Sequence, residues 1–211
     1  MDPPYIYRII HHSNLEYILR TGRVVCPNHA NADPVYRNIG NNAIINLRNQ
    51  KVIQGLPPRT FRDYVAFYFG MRSIMLFNIH TGRGEVEQID QDEIIYLVYD
   101  VSSIVDHAYE FFFTDGNGAK IPQTQVFLNL DDLDKVDYTA AYATRWSTAD
   151  QINDPDLKRK KHSEFHIYQE LNFDHISEIA VNSETRKVEI ERLLQHYDTP
   201  KNVRVERTFY F

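Results

Sequence analysis

The segment Lys158-Arg159-Lys160-Lys161-His162-Ser163-Glu164-Phe165-His166-Ile167-Tyr168 decides how the rest of the chain is interpreted. Four cations and a histidine precede a stretch in which polar and apolar side chains alternate, and this period of two predicts a half-buried β-strand. Glu164 stands at the start of that strand. Its carboxylate either balances the basic run on a solvated face, as charge runs usually do, or points into a cleft. The local sequence favours the solvated face, and the other segments have to decide between the two.

Length and composition describe a globular chain. It has 211 residues, of which 43% are hydrophobic and 13% aromatic, and we expect one domain over residues 1–211. A net charge of -6 excludes a protein that coats duplex nucleic acid non-specifically, although it allows a local basic groove. Cys26 is the only cysteine, which excludes an intrachain disulfide framework and a cysteine zinc site. Without a membrane-length apolar run or a signal-peptide pattern, we expect a cytoplasmic setting.

The order of the elements predicts an α+β fold. Apolar patterns predict strands at Tyr5–Ile10, Asp63–Gly70, Glu93–Asp100, Glu164–Tyr168, Ile176–Val181 and Val203–Phe211, and a further strand that starts at Phe111 and turns by Gly118. Helices are predicted after an N-cap at Ser13 or Asn14 and at Asn41–Lys51, Val101–Asp106, Asn129–Val136 and Ser183–Gln195, whereas Ile74–His80 fits either type. Because strands and helices mix without regular βαβ spacing, we expect a mixed or antiparallel sheet flanked by helices.

Common nucleotide and hydrolase motifs are missing from the sequence. It contains no G-x-G-x-x-G after a strand, no G-x-x-x-x-G-K-[ST] and no G-x-S-x-G. His11 and His12 are adjacent on a predicted strand, where successive side chains point to opposite faces, so they predict a poor chelating pair. We therefore expect no metal site.

Polar residues at the ends of predicted elements suit a ligand that is both anionic and aromatic. Arginine pairs with phosphate through two hydrogen bonds, tyrosine and phenylalanine stack on flat rings, and a carboxylate can stabilise a cationic transition state. The residues concerned are Arg8, His11 and Asn14 at the first strand and turn, Arg48 on the second helix, Arg72 and Met75 after the aromatic strand that ends in Gly70, and Glu164.

These residues stand in a pattern that resembles the DarT family of bacterial DNA ADP-ribosyltransferase toxins. The resemblance covers nearly the whole chain in order, and it rests on Tyr7-Arg8-Ile9-Ile10-His11-x-x-Asn14-Leu15-x-x-Ile18-Leu19-x-x-Gly22, Asp63-Tyr64-Val65-x-Phe67-Tyr68-Phe69, Arg72-Ser73-x-Met75-Leu76, Phe113-Thr114-Asp115-Gly116 and Glu164-Phe165. It implies an ADP-ribosyltransferase fold, in which a split β-sheet binds NAD+ in its cleft. It also implies metal-free transfer of ADP-ribose to thymine or guanine in single-stranded DNA, and a DarG-like macrodomain antitoxin as partner.

The resemblance also implies roles for individual residues. Glu164 and Arg48 would be catalytic, and NAD+ would be held by Arg8, His11, Asn14, Gly22, Tyr68, Arg72 and Met75. Residues 142–163 would form the substrate-recognition loop, in which Tyr142, Arg145 and Trp146 meet a base and Lys158, Arg159, Lys160 and Lys161 meet the DNA backbone. Two positions depart from the family pattern, since many members have two basic residues at Leu47-Arg48 and some have histidine at Asn117.

The implied chemistry gives Glu164 two tasks. Cleavage of the nicotinamide–ribose bond builds positive charge on the ribose, which a carboxylate below it would stabilise. The same carboxylate would take the proton of the attacking base, while Arg48 neutralises the pyrophosphate or orients that base. Two other functions stay open, namely an ADP-ribosyltransferase that modifies RNA or protein and a catalytically silent nucleic-acid-binding module. For Trp146, a structural plug of its own loop is an equal alternative.

Overall fold

The computed structural model describes residues 4–53, 55–118 and 123–211. Its main sheet has the strand order β10-β9-β4-β1-β3-β7-β5-β6, and β2 pairs with β8 in a separate ribbon. The strands are β1 (Tyr5–His11), β2 (Arg23–Val25), β3 (Tyr64–Tyr68), β4 (Ile94–Asp100), β5 (Phe111–Thr114), β6 (Val126–Phe127), β7 (Glu164–Tyr168), β8 (Glu170–Asn172), β9 (Glu178–Val181) and β10 (Val203–Val205). All pairs in the main sheet are antiparallel except β9 with β10, which confirms the predicted mixed sheet.

The main sheet divides between β1 and β3. Strand β1 pairs with β4 along its whole length, and β3 pairs with β7 along its whole length. Between β1 and β3, in contrast, the register contains the single pair Tyr7–Tyr68. Arg8 reaches across the gap and donates from Nη1 to the carbonyl oxygen of Ala66 at 2.9 Å. The two halves diverge beyond this point, as the resemblance implied, and the divergence opens a cleft.

Seven α-helices flank the described part of the sheet. They are α1 (Leu15–Thr21), α2 (Asn42–Asn49), α3 (Ile74–Thr81), α4 (Val101–Asp106), α5 (Tyr138–Tyr142), α6 (Leu157–Lys160) and α7 (Glu184–His196). The ambiguous segment at Ile74 is therefore a helix, which Ser73 caps by accepting a hydrogen bond from the Leu76 amide. Helix α1 ends at Gly22, whose φ of 67° is the left-handed conformation that glycine adopts most easily. No helix in the described ranges has the length and apolarity needed to cross a membrane.

Strand β7 is buried on both faces, which differs from the predicted half-buried strand. Phe165 and Ile167 pack into the main core, whereas Glu164 and His166 point to the opposite face and are 2% and 0% exposed. The reason is its place in the sheet, where β3 and β5 pair on either side of it and further side chains cover the second face. A polar side chain on this strand therefore faces the interior, and its charge needs partners there.

The C-terminal segment differs from the predicted strand Val203–Phe211. The strand ends at Val205, and a turn of 3-10 helix follows at Arg207–Phe209. This turn brings Tyr210 against the inner strands, where its hydroxyl donates to the Ile94 carbonyl oxygen at 2.9 Å. The predicted helix at Asn129–Val136 is likewise 3-10, over Leu130–Lys135.

Candidate active site

The divergence of the sheet encloses a cleft of about 250 Å3. Five of the residues proposed for the site line it, namely Arg8, Arg48, Tyr68, Met75 and Glu164. Cationic and aromatic side chains that share one cavity can bind phosphate and flat rings together. The lining therefore fits the phosphates and ring systems of NAD+.

Glu164 lies at the base of this cleft. As the first residue of β7, it pairs in register with Tyr68 of β3 on one side and Thr114 of β5 on the other. Its backbone amide also donates to the Thr114 hydroxyl at 3.3 Å. The carboxylate is held by a strand that is itself fixed on both sides, which is the rigid support that a catalytic group requires. The interior position replaces the solvated face that the local charge pattern favoured.

Arg48 meets Glu164 through a two-pronged ion pair. Its Nη1 donates to Oε1 at 2.9 Å and its Nη2 donates to Oε2 at 3.1 Å. The guanidinium also lies 4.7 Å from the ring centroid of Phe61. Helix α2 carries Arg48 into place, and its first turn is capped by Asn41, which accepts a hydrogen bond from the Ile44 amide. The two residues that the resemblance marked as catalytic are thus in direct contact.

The electrostatics of the cleft favour an ionised glutamate. Burial alone would raise the pKa of Glu164, but the Arg48 guanidinium, His166 and His162 together outweigh it and lower this pKa to about 2. Burial lowers the pKa of His162 to about 4, and it raises the pKa of Tyr68 well above its usual value. Near neutral pH, the cleft therefore contains one carboxylate, a neutral His162 and a protonated Tyr68.

His11 and Asn14 support the neighbouring loop and do not line the cleft. The Asn14 side chain donates to the Arg37 carbonyl oxygen at 2.9 Å and accepts from the Arg37 amide at 2.9 Å. His11 contacts Glu93 and the Arg37 guanidinium, at 3.0 Å and 2.6 Å. Arg8 and Asn14 line a second cavity of about 180 Å3, which shares Arg8, Pro27 and Tyr36 with the cleft. Arg8 therefore lines both cavities.

The geometric prediction for the two adjacent histidines was wrong. Strand β1 ends at His11 and a 3-10 turn begins at His12, so the two rings lie on the same side with centroids 4.7 Å apart. Ligand atoms of His11, His12 and Glu93 lie within 4.8 Å of one another. Arg37 already places a guanidinium nitrogen 2.6 Å from His11 Nε2, and this fixed cation disfavours a metal ion there.

Gly22 and Arg72 lie outside both cavities, which differs from their proposed role in NAD+ binding. Gly22 ends helix α1. Arg72 has a φ of 51°, its Nε donates to the Tyr210 carbonyl oxygen at 2.6 Å, and its guanidinium lies 5.5 Å from the Phe211 ring. It anchors the C-terminal segment, so its guanidinium is directed away from the cleft lining. Met75 does line the cleft, where it accepts a hydrogen bond from the Tyr68 hydroxyl at 3.7 Å.

Three cations of the basic run have partners inside the molecule, contrary to the proposed contact with a DNA backbone. Arg159 pairs with Asp115 at 2.9 Å and with Asp156 at 2.7 Å, and Lys160 pairs with Asp154 at 2.9 Å. The reason is the fold, which brings acidic residues of neighbouring turns around α6. The pair with Asp115 ties α6 to the turn after β5, and the other two pairs tie it to the turn just before α6.

Lys161 is buried, and Lys158 alone of the four basic residues is exposed. The Lys161 ammonium donates to the Ala141 carbonyl oxygen at 3.2 Å and lies 5.0 Å from the Trp146 ring centroid. Burial, followed by repulsion from Arg72, lowers the pKa of Lys161 to about 8. Lys161 therefore contacts Ala141 and Trp146 from within and is not available to a phosphate in this conformation.

The three residues proposed to meet a base divide into two groups. Trp146 is half-buried, and its ring packs edge-on against Phe77 and Phe211, each with centroids 5.7 Å apart. This packing matches the structural plug that was left open for it. Tyr142 is 39% exposed and the Arg145 side chain 79% exposed, so both are accessible from solvent.

Sequence reasoning missed residues that surround Glu164. The Gly118 amide donates to Glu164 Oε2 at 3.3 Å, and a Cβ at that position would lie 2.7 Å from the Phe61 ring. His166 Nε2 lies 3.3 Å from the same oxygen, and His162 lines the cleft. One signal for His166 was present, because alternate residues of a strand share a face and His166 follows Glu164 by two.

The chain was compared with known proteins. The family model described as "ssDNA thymidine ADP-ribosyltransferase, DarT" matches residues 7–211. A "DNA ADP-ribosyl transferase" of Thermus sp. (strain 2.9) is 32% identical over 97% of this chain and 93% of its own length. Thermus sp. 2.9 DarT in complex with ADP-ribosylated ssDNA has the same fold with a TM-score of 0.90 and 30% identity, over 100% of both chains. The same enzyme in complex with NAD+ gives a TM-score of 0.85 at 29% identity, over 100% of this chain and 99% of that one. The chain therefore belongs to the DarT family of single-stranded DNA thymidine ADP-ribosyltransferases.

Proposed function

We propose that this protein transfers ADP-ribose from NAD+ to thymine in single-stranded DNA and releases nicotinamide. The observation that carries the proposal is the ionised carboxylate of Glu164, buried at the base of a cationic and aromatic cleft and paired with Arg48. Family membership supplies the reaction class, and NAD+ and ADP-ribosylated ssDNA are the molecules bound in the Thermus structures.

Glu164 stabilises the bond-breaking step electrostatically. As the C1′–N bond to nicotinamide breaks, positive charge develops on the ribose, and a fixed carboxylate beneath it lowers the energy of that state. The base then attacks C1′ through a ring nitrogen, and Glu164 accepts the proton that this nitrogen loses. In the free enzyme a pKa of about 2 keeps the carboxylate charged before NAD+ enters, and loss of the Arg48 contact then makes it a stronger base for the second step.

Arg48 binds the pyrophosphate in this proposal. Its two guanidinium nitrogens hold both carboxylate oxygens of Glu164, and a phosphate offers the same two-oxygen geometry. Exchange of one anion for the other frees the carboxylate when the co-substrate enters. An Arg48→Lys variant keeps the charge but loses the two-pronged contact, so we expect weaker NAD+ binding, measured as a higher KM.

Incubation of the protein with labelled NAD+ and single-stranded DNA, RNA or protein tests the acceptor class. We expect label on DNA alone and a loss of at least about 100-fold in Glu164→Gln. Glu191→Gln, on the exposed face of α7, is the matched control and should retain the wild-type rate. Label on RNA or protein but never on DNA would refute the proposal, whereas DNA binding without any transfer would favour a silent binding module.

Thymine is favoured over guanine by the description of the matching family model. Mass spectrometry of oligonucleotides that differ in a single base tests this choice. We expect an added ADP-ribose only where thymine is present. Modification of guanine in an oligonucleotide without thymine would refute it.

We also propose that the enzyme is a toxin whose DNA mark is removed by a macrodomain antitoxin, as the family resemblance implies. Induced expression in bacteria should stop growth, and Glu164→Gln should abolish this effect. Coexpression of a macrodomain ADP-ribose hydrolase should restore growth. Growth arrest that persists in the Glu164→Gln strain would refute the toxin mechanism.

A further inference from the structure

The two carboxylate oxygens of Glu164 have different surroundings. Oε1 accepts a hydrogen bond from Arg48 at 2.9 Å. Oε2 accepts from the other Arg48 nitrogen at 3.1 Å and from the Gly118 amide at 3.3 Å, and it lies 3.3 Å from His166 Nε2. If Arg48 turns to a phosphate, Oε2 keeps two neighbours on the protein side, while Oε1 becomes free toward the cleft.

The imidazole of His166 is held firmly in one orientation. It is 0% exposed, it stacks on Phe112 with centroids 4.4 Å apart and planes 10° apart, and Phe61 meets it edge-on at 5.1 Å. Among the described residues, neither of its ring nitrogens has a hydrogen-bond partner, so the 3.3 Å between Nε2 and Glu164 Oε2 is a close approach without hydrogen-bond geometry. A buried polar group without a partner is costly, so its approach to Glu164 calls for a functional explanation.

The protonation of His166 suits a donor. Burial lowers its pKa, so the ring is neutral near pH 7 and carries a single proton. The neighbouring carboxylate can only accept, and it therefore favours the tautomer with that proton on Nε2. Hydrogen bonds at active sites are often long before the substrate binds and shorten in the complex.

We propose that His166 is a positioning residue whose Nε2–H anchors Oε2 of Glu164, so that Oε1 is the oxygen that acts on the ribose and the attacking base. The inference rests on the function proposed above. Glutamate has three side-chain torsions, and its strand fixes only the backbone. Gly118 and His166 together restrict the carboxylate after Arg48 leaves, and a misplacement of about 1 Å can cost about 100-fold in rate.

Two substitutions of His166 separate hydrogen bonding from packing. His166→Phe keeps a flat ring between Phe112 and Phe61 but removes the donor, whereas His166→Gln keeps an N–H near the position of Nε2. For His166→Phe we expect kcat to fall about 10- to 100-fold, with KM for NAD+ within about threefold of wild type. His166→Gln should recover most of kcat. His196→Phe, on the exposed end of α7, is the matched control and should leave both constants unchanged.

Nitrogen-15 NMR of the imidazole groups provides a readout that does not depend on DNA transfer. We expect the His166 signals of the wild-type protein to show the Nε2–H tautomer, assigned by their loss in His166→Gln. The Nδ1–H tautomer would overturn the inference, even if the acceptor proposed above proved to be wrong. Wild-type transfer with an unchanged kcat in His166→Phe would overturn it and leave the proposed function standing. Equal losses in both variants would also overturn it, since they would indicate packing alone.

Discussion

Replacement of Glu164 by glutamine tests the electrostatic description of the cleft through protein stability. The substitution removes the charge while it keeps the shape of the protonated acid. Glu164 is 2% exposed, and its charge is compensated by the two-pronged contact with Arg48. Stability thus reports on the same charge that the reaction needs, without any substrate.

The magnitude follows from the pKa of Glu164, which falls from 4.5 to about 2 on folding. At about 1.4 kcal/mol per pH unit, this difference corresponds to about 3 kcal/mol of stability from the ionised form. The native carboxyl has the lower pKa, so its contribution is complete above pH 4.5 and is lost as the pH falls through 2. Glu164→Gln should therefore unfold about 3 kcal/mol more easily at pH 7, and the difference should narrow steadily below pH 4.5.

Urea unfolding of both proteins from pH 7 to pH 3, followed by far-UV circular dichroism, measures this difference. Glu191→Gln removes an exposed carboxylate and should cost less than about 0.5 kcal/mol across the same range. A Glu164→Gln protein as stable as wild type at pH 7 would refute the reasoning. A deficit that stays constant as the pH falls would refute it too, because the loss would then come from packing and not from charge.

Four further outcomes follow from the structure. In Gly70→Ala the new Cβ would lie 2.1 Å from the Ala141 carbonyl oxygen, so α5 must shift, and we expect thermal unfolding to report a loss of about 1–3 kcal/mol. Lys161→Met should be more stable than wild type at pH 7, because burial of the charged ammonium lowers the pKa of Lys161 to about 8. Urea unfolding should show this difference in the free energy of unfolding shrink as the pH rises from 8 to 10.5. Arg159→Met should lower the thermal midpoint, whereas Lys158→Met should leave it unchanged and weaken DNA binding in a fluorescence titration. A chelator should leave the transfer rate unchanged, since the proposed steps use only side chains.

Local patterns in the sequence were enough to predict the elements that frame the cleft. The alternating segment at Tyr5, the apolar run before Asp100 and the glycine that ends α1 each act through their neighbours in the chain, and each appears as predicted. The contact of Arg48 with Glu164 joins positions 116 residues apart. No local rule contains that contact, and the resemblance to a family supplied only a catalytic role for each of the two residues.

The predictions that were wrong share a physical cause, since each depended on tertiary contacts or backbone geometry that the local sequence does not contain. Arg159 finds Asp115, which is 44 residues away, so the pattern of a solvated charge run could not show that its charges are internally paired. The prediction for His11 and His12 depended on where β1 ends, because a shift of one residue changes the face to which a side chain points. Arg72 has a positive φ, which is uncommon for residues other than glycine and could not be predicted from its residue type.

The internal ion pairs of the basic run affect how strongly DNA binding depends on salt concentration. Each phosphate neutralised by a protein cation releases bound counterions, and the logarithm of affinity for a single strand falls with the logarithm of salt by about 0.7 per contact. If all four cations bound phosphate, the run would contribute a slope of about -2.8, but with Lys158 alone it contributes about -0.7. We therefore expect the basic run to add little to the salt dependence of DNA affinity. Contacts that hold a single strand must then come mainly from residues outside this run.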